Sequence, residues 1–121
     1  RALVLEGCVG ETLSALEAQH MATRAANASL GATLSRIAED ELRHAVLAFR
    51  TLGWLAQTFE GARTAALDAL AEAQRALDNQ TSAPGNAGLA EHGMLADEDR
   101  IALRRAAFQS IVARPMADVL G

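Results

Sequence analysis

Two residues near the middle of the chain, Glu41 and His44, have the types and spacing of metal ligands. They are three residues apart, so on a helix both side chains leave the same face. Burial of a carboxylate without a partner is so costly that the group normally either neutralises or coordinates a metal. The pattern therefore predicts a Glu-x-x-His pair that binds a cation. The face continues as an apolar stripe with steps of four, three, four, four and three, through Ile37, Glu41, His44, Ala48, Leu52 and Leu55.

A third candidate ligand, Glu11, falls between Cys8 and Ala15 on the apolar stripe of an earlier helix. One Glu from one helix and a Glu-x-x-His pair from another make up half of a dinuclear carboxylate site in a helical bundle. Carboxylate and imidazole together suit iron or manganese, with zinc as an alternative. Gly7 and Gly10 stand beside Glu11 at a cost of about 1 kcal/mol each relative to Ala. They predict a close helix approach or a local distortion.

Four helices are predicted to position these residues, and no alternating pattern indicates a strand. Apolar spacing and capping residues place the helices at about 2–26, 29–57 and 62–77, and from Asp97 to a stop at Pro115. Residues 116–120 would add a short terminal turn, and residues 79–93, rich in Gly, are predicted to be a loop. Asn27 is the predicted cap of the second helix. The prediction is a single all-α domain over residues 1–121.

The predicted inward positions follow the helical repeat. On the second helix they are Leu30, Leu34, Ile37, Ala45, Ala48, Leu52 and Leu55. On the third helix they are Leu67, Leu70, Ala73 and Leu77, and on the fourth Ile101, Arg104, Phe108, Ile111 and Val112.

Composition narrows the classes of function. Half of the residues are hydrophobic but only 3% are aromatic, so the core must consist mainly of Leu, Ile, Val and Ala. The net charge of -4 argues against a basic surface for nucleic acid. No apolar run reaches the length of about 18 residues that a membrane span needs. The single Cys fits a reducing compartment, and we expect a cytoplasmic protein.

The segments EGCVGET (6–12) and IAEDELRHA (37–45) together resemble the C-terminal half of bacterial ferritin-like domain proteins. The string from Asp40 to His44 is similar to the motif shared by bacterioferritins, rubrerythrins and other di-iron carboxylate proteins. The resemblance covers roughly residues 1–57 and implies an antiparallel ferritin-like bundle that binds iron through Glu11, Glu41 and His44. It also implies that Asp40 stands behind the ligands and hydrogen-bonds a metal-binding His of the opposing helix, as such outer acids do.

The sequence departs from that family because it supplies one ligand set where the full pattern needs two. Upstream sequence or a second copy of the chain in a homodimer is expected to provide the other, and the start at Arg1 favours upstream sequence. The implied chemistry is oxidation of ferrous iron by O2 or peroxide. A further Glu-x-x-His pair, Glu17 and His20, lies off the apolar stripe of the first helix and is interpreted as a surface pair.

Two alternatives involve no metal. The chain can be a helical module whose Ala-rich faces bind partner helices, with Glu11, Glu41 and His44 solvated on a slightly rotated helix. It can also be a degenerate half-domain that is retained for folding. The metal interpretation requires the three side chains to converge, and it fails if the helices place Glu11 away from Glu41.

Overall fold

The computed structural model describes residues 1–81 and 97–121, and the regular secondary structure in these two ranges is entirely helical. A π-helical segment, π1 (Leu3–Glu11), runs directly into α1 (Thr12–Arg24), which is followed by α2 (Ala28–Thr58) and α3 (Ala62–Asp78). The second range contains α4 (Asp97–Ala107), a further π-helical segment, π2 (Phe108–Ala113), and α5 (Arg114–Leu120). The all-α class is confirmed, as are the bounds of the first three helices to within two residues. The predicted loop lies outside the described residues beyond residue 81.

A short turn between α1 and α2 is set by local backbone chemistry. Ala25 is extended, which ends α1, and the Asn27 side chain accepts a hydrogen bond of 2.8 Å from the backbone N–H of Leu30. Such a cap satisfies one of the unpaired N–H groups of the first helical turn and contributes about 1 kcal/mol. The prediction that Asn27 caps the second helix is confirmed.

The first two helices form an antiparallel hairpin. Gly7, near the start of the chain, packs against Ala48 late in α2, whereas Gly31, early in α2, packs against Ala22 late in α1. Residues that come earlier in the first helix therefore meet residues that come later in the second. This arrangement places Glu11 level with the middle of α2, where Glu41 and His44 lie.

The hydrophobic core lies between this hairpin and the remaining helices, and every helix contributes to it. Full burial of a Leu, Val, Met or Phe side chain contributes about 1.5–3 kcal/mol, so these few large side chains fix how the helices pack. The largest fully buried side chains are Phe108, Leu13, Met116, Val4, Val112 and Cys8.

The prediction that Pro115 stops the fourth helix is wrong. Pro115 lies in the first turn of α5, and the chain stays helical as far as Leu120. A proline has no N–H, and its ring crowds the carbonyl four residues earlier in an α-helix. The π2 segment directly before it has wider turns with hydrogen bonds to the fifth residue back, which relieves this conflict. As a result Met116 and Leu120 reach the core.

Three of the predicted inward positions, Ile37, Leu67 and Ile111, are exposed. On α3 the buried face is instead shifted to a stripe that begins at Ala66 and Ala69. Small and large apolar residues share the same helical spacing on α3, and close packing against its neighbours favours the alanines on the inside. Periodicity alone does not distinguish these two faces.

None of the helices in the two described ranges combines the length and the apolar character that are needed to cross a bilayer.

Candidate metal site

Glu11 is the last residue of π1, and two glycines shape the backbone before it. A Cβ atom on Gly7 would lie 2.7 Å from the Cβ of Ala48, so π1 and α2 are in very close contact there. A Cβ atom on Gly10 would lie 3.2 Å from the carbonyl oxygen of Leu5, within the widened helix itself. Both the close approach and the distortion predicted from the glycines are therefore present. π-Helical turns of this kind occur frequently at functional sites.

Glu41 and His44 leave α2 on the side that meets π1 and α1. Glu41 is half-buried, and the next residues along its face, Ala45 and Ala48, are buried. His44 lies at the edge of this face, and its side chain is 63% exposed. The predicted position of Glu41 in the apolar stripe is thus confirmed. The prediction that His44 is buried with it is wrong.

The three predicted ligands converge. One ligand atom from each of Glu11, Glu41 and His44 can be chosen so that all lie within 4.8 Å of one another. Nδ1 of His44 lies 3.5 Å from Oε2 of Glu11. Oxygen and nitrogen ligands lie about 2.1 Å from a metal such as zinc, so two of them are at most about 4.2 Å apart. Small side-chain movements would therefore bring all three onto one cation.

The carboxyl group of Glu41 is held close to that of Glu11. A hydrogen bond with Glu11 raises the pKa of Glu41, and desolvation and the negative charge of Glu11 raise it further, while His44 acts in the opposite direction. The raised pKa means that the ionised form of Glu41 is disfavoured beside Glu11. A bound cation would offset this repulsion and favour the ionised carboxylate.

No protein-family model matches this chain, and no curated protein or solved structure does. The chemistry of the site follows from its own donor atoms. Two carboxylates and one imidazole form a mixed oxygen and nitrogen set, which suits iron, manganese or zinc. Three protein donors leave coordination positions open, since even a four-coordinate metal needs one ligand more.

Asp40 is next to Glu41 in the chain but points elsewhere. Its carboxylate forms an ion pair with the guanidinium of Arg43, one turn along the exposed side of α2. The role that the resemblance implies for Asp40 depends on a metal-binding His from an opposing helix. That role stays a prediction.

The interpretation of Glu17 and His20 as a surface pair is wrong for Glu17. The Glu17 carboxylate lies 3.3 Å from the guanidinium of Arg104, and the two side chains are 16% and 26% exposed. His20 instead has a ring nitrogen 3.5 Å from the Arg24 guanidinium. The sequence held a signal for this pair, because Arg104 occupies an inward position in an apolar stripe and a buried cation needs an acid.

Proposed function

We propose that the chain is a ferritin-like, iron-binding protein whose Glu11, Glu41 and His44 form half of a dinuclear carboxylate-bridged centre with oxidase or ferroxidase-type chemistry. The observation that carries this proposal is the convergence of three metal-binding side chains from two helices within 4.8 Å. Glu11 is far from the other two in sequence, so helical spacing alone does not account for its position. The antiparallel hairpin and the close contact at Gly7 bring it there.

The donor set favours a metal that accepts oxygen and nitrogen ligands. Cys8, one turn before Glu11, is the thiol nearest to it in sequence, and burial raises its pKa to about 11. It therefore stays protonated near neutral pH and offers no thiolate, the form in which cysteine binds metals. Carboxylates and imidazole without thiolate suit iron or manganese best, and zinc is the alternative.

The residues have distinct roles in this proposal. Glu11 and Glu41, which come from different helices, would hold the metal through carboxylate oxygens, and His44 at the exposed edge would hold it through a ring nitrogen. A bound cation would favour the ionised form of Glu41 and so oppose the effect of Glu11, which raises the pKa of Glu41. Bound ferrous iron would supply redox chemistry: two ferrous ions provide the two electrons that, with two protons, convert hydrogen peroxide to two water molecules, and O2 is the alternative oxidant.

A second ligand set is needed for a dinuclear centre. The proposal assigns it to a second copy of the chain or to helices outside these 121 residues. The exposure of the His44 side chain supports this, because the site is accessible from the side on which His44 lies.

Metal retention tests the proposal directly. The purified chain is loaded with Fe(II) under anaerobic conditions, dialysed, and assayed for iron by mass spectrometry, together with Glu41→Gln and His44→Ala variants. We expect about one iron per chain for the half-site and at least a tenfold weaker affinity, roughly, in either variant. His20→Ala is the matched control, because it removes a histidine of α1 that lies against Arg24, and it should retain iron.

If the unaltered chain retains no iron, copies of this chain alone do not complete the site. If Glu41→Gln and His44→Ala retain as much iron as His20→Ala, Glu41 and His44 do not bind the metal. Competition with Mn(II) and Zn(II) in the same assay identifies the preferred metal. Addition of O2 or peroxide to the loaded protein then tests the redox step through the loss of Fe(II).

A helical interaction module without metal is the second candidate. Large apolar side chains on α2, among them Leu47 and Trp54, are exposed, and the His44 side chain is solvated. This alternative predicts that Glu11, Glu41 and His44 can each be replaced by Ala without loss of binding to a partner helix.

A further inference from the structure

A depression of about 240 Å³ lies where α1, α2 and π2 meet. Thr12 and Ala15 of α1 are buried at its floor. Its apolar walls include Leu16 of α1, Leu42 of α2 and Ile111 of π2. This depression is here called the α1–α2 pocket. An apolar cavity of about 150 Å³ holds benzene, so the α1–α2 pocket has room for a molecule of about ten non-hydrogen atoms.

Thr12 places a polar group at the floor of this pocket, and only 4% of its surface is exposed. A buried hydroxyl is normally hydrogen-bonded, and on a helix it often bonds to the carbonyl one turn back, as in Thr33 and Thr51. The Thr12 hydroxyl forms no hydrogen bond within the described residues. Thr12 directly follows π1, whose wider turns shift the carbonyls behind it. Its oxygen is not enclosed by protein, so a polar group bound in the pocket can reach it.

Glu39 is the only charged residue among those that line the α1–α2 pocket, and it stands at the exposed rim. Within the described residues Glu39 takes part in no ion pair, and Arg43, one turn further along α2, is paired with Asp40. A carboxylate at the mouth of a pocket attracts a cation and repels an anion. The apolar walls favour an organic cation over an inorganic one.

The apolar walls are open to solvent where a ligand would cover them. Leu42 is 55% exposed and Ile111 is 43% exposed. Removal of such surface from water supplies the non-directional part of binding. Mostly apolar walls with a few placed polar groups are typical of small-molecule sites.

The α1–α2 pocket is distinct from the candidate metal site. At about 100° per residue, the side chain of Glu39 leaves α2 about 160° away from that of Glu41 and about 140° away from that of His44. None of the three candidate metal ligands lines the pocket. Binding in the pocket therefore does not depend on a metal and can be tested on metal-free protein.

We propose that the α1–α2 pocket binds a small hydroxylated aromatic amine. The ammonium group pairs with Glu39 at the rim, the ring lies against the apolar walls, and the hydroxyl forms a hydrogen bond with Thr12 at the floor. A ring is favoured over a flexible alkyl chain of the same size because it loses less conformational freedom on binding. An alkyl ammonium group of this kind titrates near the pKa of Lys, so it is charged at neutral pH.

Titration of the metal-free, isotope-labelled chain with tyramine, followed by two-dimensional NMR, tests the proposal. We expect the amide signals of Thr12, Glu39 and Ile111 to shift, with a dissociation constant of about 1 mM or below. Phenethylamine, which lacks the hydroxyl, should bind about three- to tenfold more weakly. Hydroxyphenylpropionate, which has a carboxylate in place of the ammonium group, should bind about tenfold more weakly or not at all.

Three variants assign the contacts. Thr12→Val should remove the preference for tyramine over phenethylamine, and Glu39→Gln should weaken the binding of both amines by about two- to fivefold. Ala38→Leu places a larger side chain in the pocket and should abolish binding of both. Glu60→Gln, which removes an exposed acid just after α2, is the matched charge control and should bind tyramine normally.

Three outcomes would overturn the proposal. If tyramine shifts none of these signals, the pocket is not an amine site. Binding of hydroxyphenylpropionate as tight as that of tyramine excludes the ion pair with Glu39. Unaltered tyramine binding by Ala38→Leu, with circular dichroism that remains that of a folded helical protein, places the ligand elsewhere on the chain.

Discussion

Gly7 of π1 lies so close to Ala48 of α2 that a methyl group on Gly7 would be 2.7 Å from the Ala48 Cβ atom. The contact lies one helical turn from the candidate metal site, because Gly7 is four residues before Glu11 and Ala48 is four residues after His44. A Cβ atom cannot rotate out of the way as the end of a long side chain can. The contact therefore sets the separation of the two backbones across which the three candidate ligands meet.

Substitution of Gly7 by Ala should destabilise the protein and weaken metal binding together. The added methyl group forces π1 away from α2, and overpacking of this kind costs about 1–3 kcal/mol. The higher helix propensity of Ala offsets about 1 kcal/mol of this, so we expect a net loss of up to about 2 kcal/mol in urea denaturation. Iron affinity should fall as well, because Glu11 moves with π1.

Gly31→Ala is the control for this substitution. Gly31 also lies in the hairpin, but a Cβ atom there would have ordinary contacts of 3.4 Å or more with Ala22 and Ala25. Its replacement should leave iron affinity unchanged and increase stability by up to about 1 kcal/mol through helix propensity. Equal effects of the two substitutions would show that the contact at Gly7 does not control the spacing of the ligands.

Glu41→Gln should stabilise the metal-free protein at neutral pH while it weakens iron binding by roughly tenfold or more. The pKa of Glu41 is higher in the folded state because of its hydrogen bond with Glu11 and its partial desolvation. Between the ordinary pKa of Glu and this raised value, the folded state binds more protons than the unfolded state, so stability falls as pH rises through that window. Gln carries no charge and avoids this loss.

The expected gain for Glu41→Gln at pH 7 is a few tenths of a kcal/mol to about 1 kcal/mol, since solvent screens a half-buried group. The gain should disappear at a pH below about 4.3, where the unfolded Glu is also protonated. Urea denaturation of metal-free protein at the two pH values measures it, with the exposed Glu60→Gln as a variant that should show no difference. If Glu41→Gln is no more stable at pH 7, Glu11 and Glu41 do not repel each other in solution.

The hairpin and the positions of its candidate ligands could be predicted from sequence because their signals are local. Asn27 caps α2, and Glu41 falls in the centre of a long apolar stripe, so its direction follows from the helical repeat. The convergence of Glu11 on that position was also expected, because Glu11 falls in the apolar stripe of the first helix, on the face that should meet the second helix. The exposure of His44 did not follow, since the stripe does not reveal which helices cover its edges.

The features that sequence analysis missed depend on packing between distant segments. Leu67 and Ala66 both belong to stripes with helical spacing, and contact with other helices decides which one is buried. Pro115 has the appearance of a helix stop, and the widened turns of π2 before it remove the reason for stopping. No local pattern in π2 indicates π-helical hydrogen bonding.

The ion pair between Glu17 of α1 and Arg104 of α4 was also missed, and it gives a prediction of its own. The two side chains are mostly buried, yet Oε1 of Glu17 and Nε of Arg104 have no hydrogen-bond partner within the described protein. Loss of one member leaves the other charge partly buried without a counter-charge. We expect Arg104→Met and Glu17→Gln each to cost about 1–3 kcal/mol of unfolding free energy, given the remaining exposure.

The double variant Glu17→Gln/Arg104→Met should be more stable than the sum of the single losses predicts, because it leaves no unpaired charge. A double-mutant cycle from urea denaturation should give a coupling energy of about 1 kcal/mol or more. Arg100→Met is the comparison, since the Arg100–Asp97 contact of 3.8 Å on the same helix is more exposed and should contribute within about 0.5 kcal/mol. Additive losses in the cycle would mean that Glu17 and Arg104 are each solvated, and that α4 is held against α1 by apolar contacts alone.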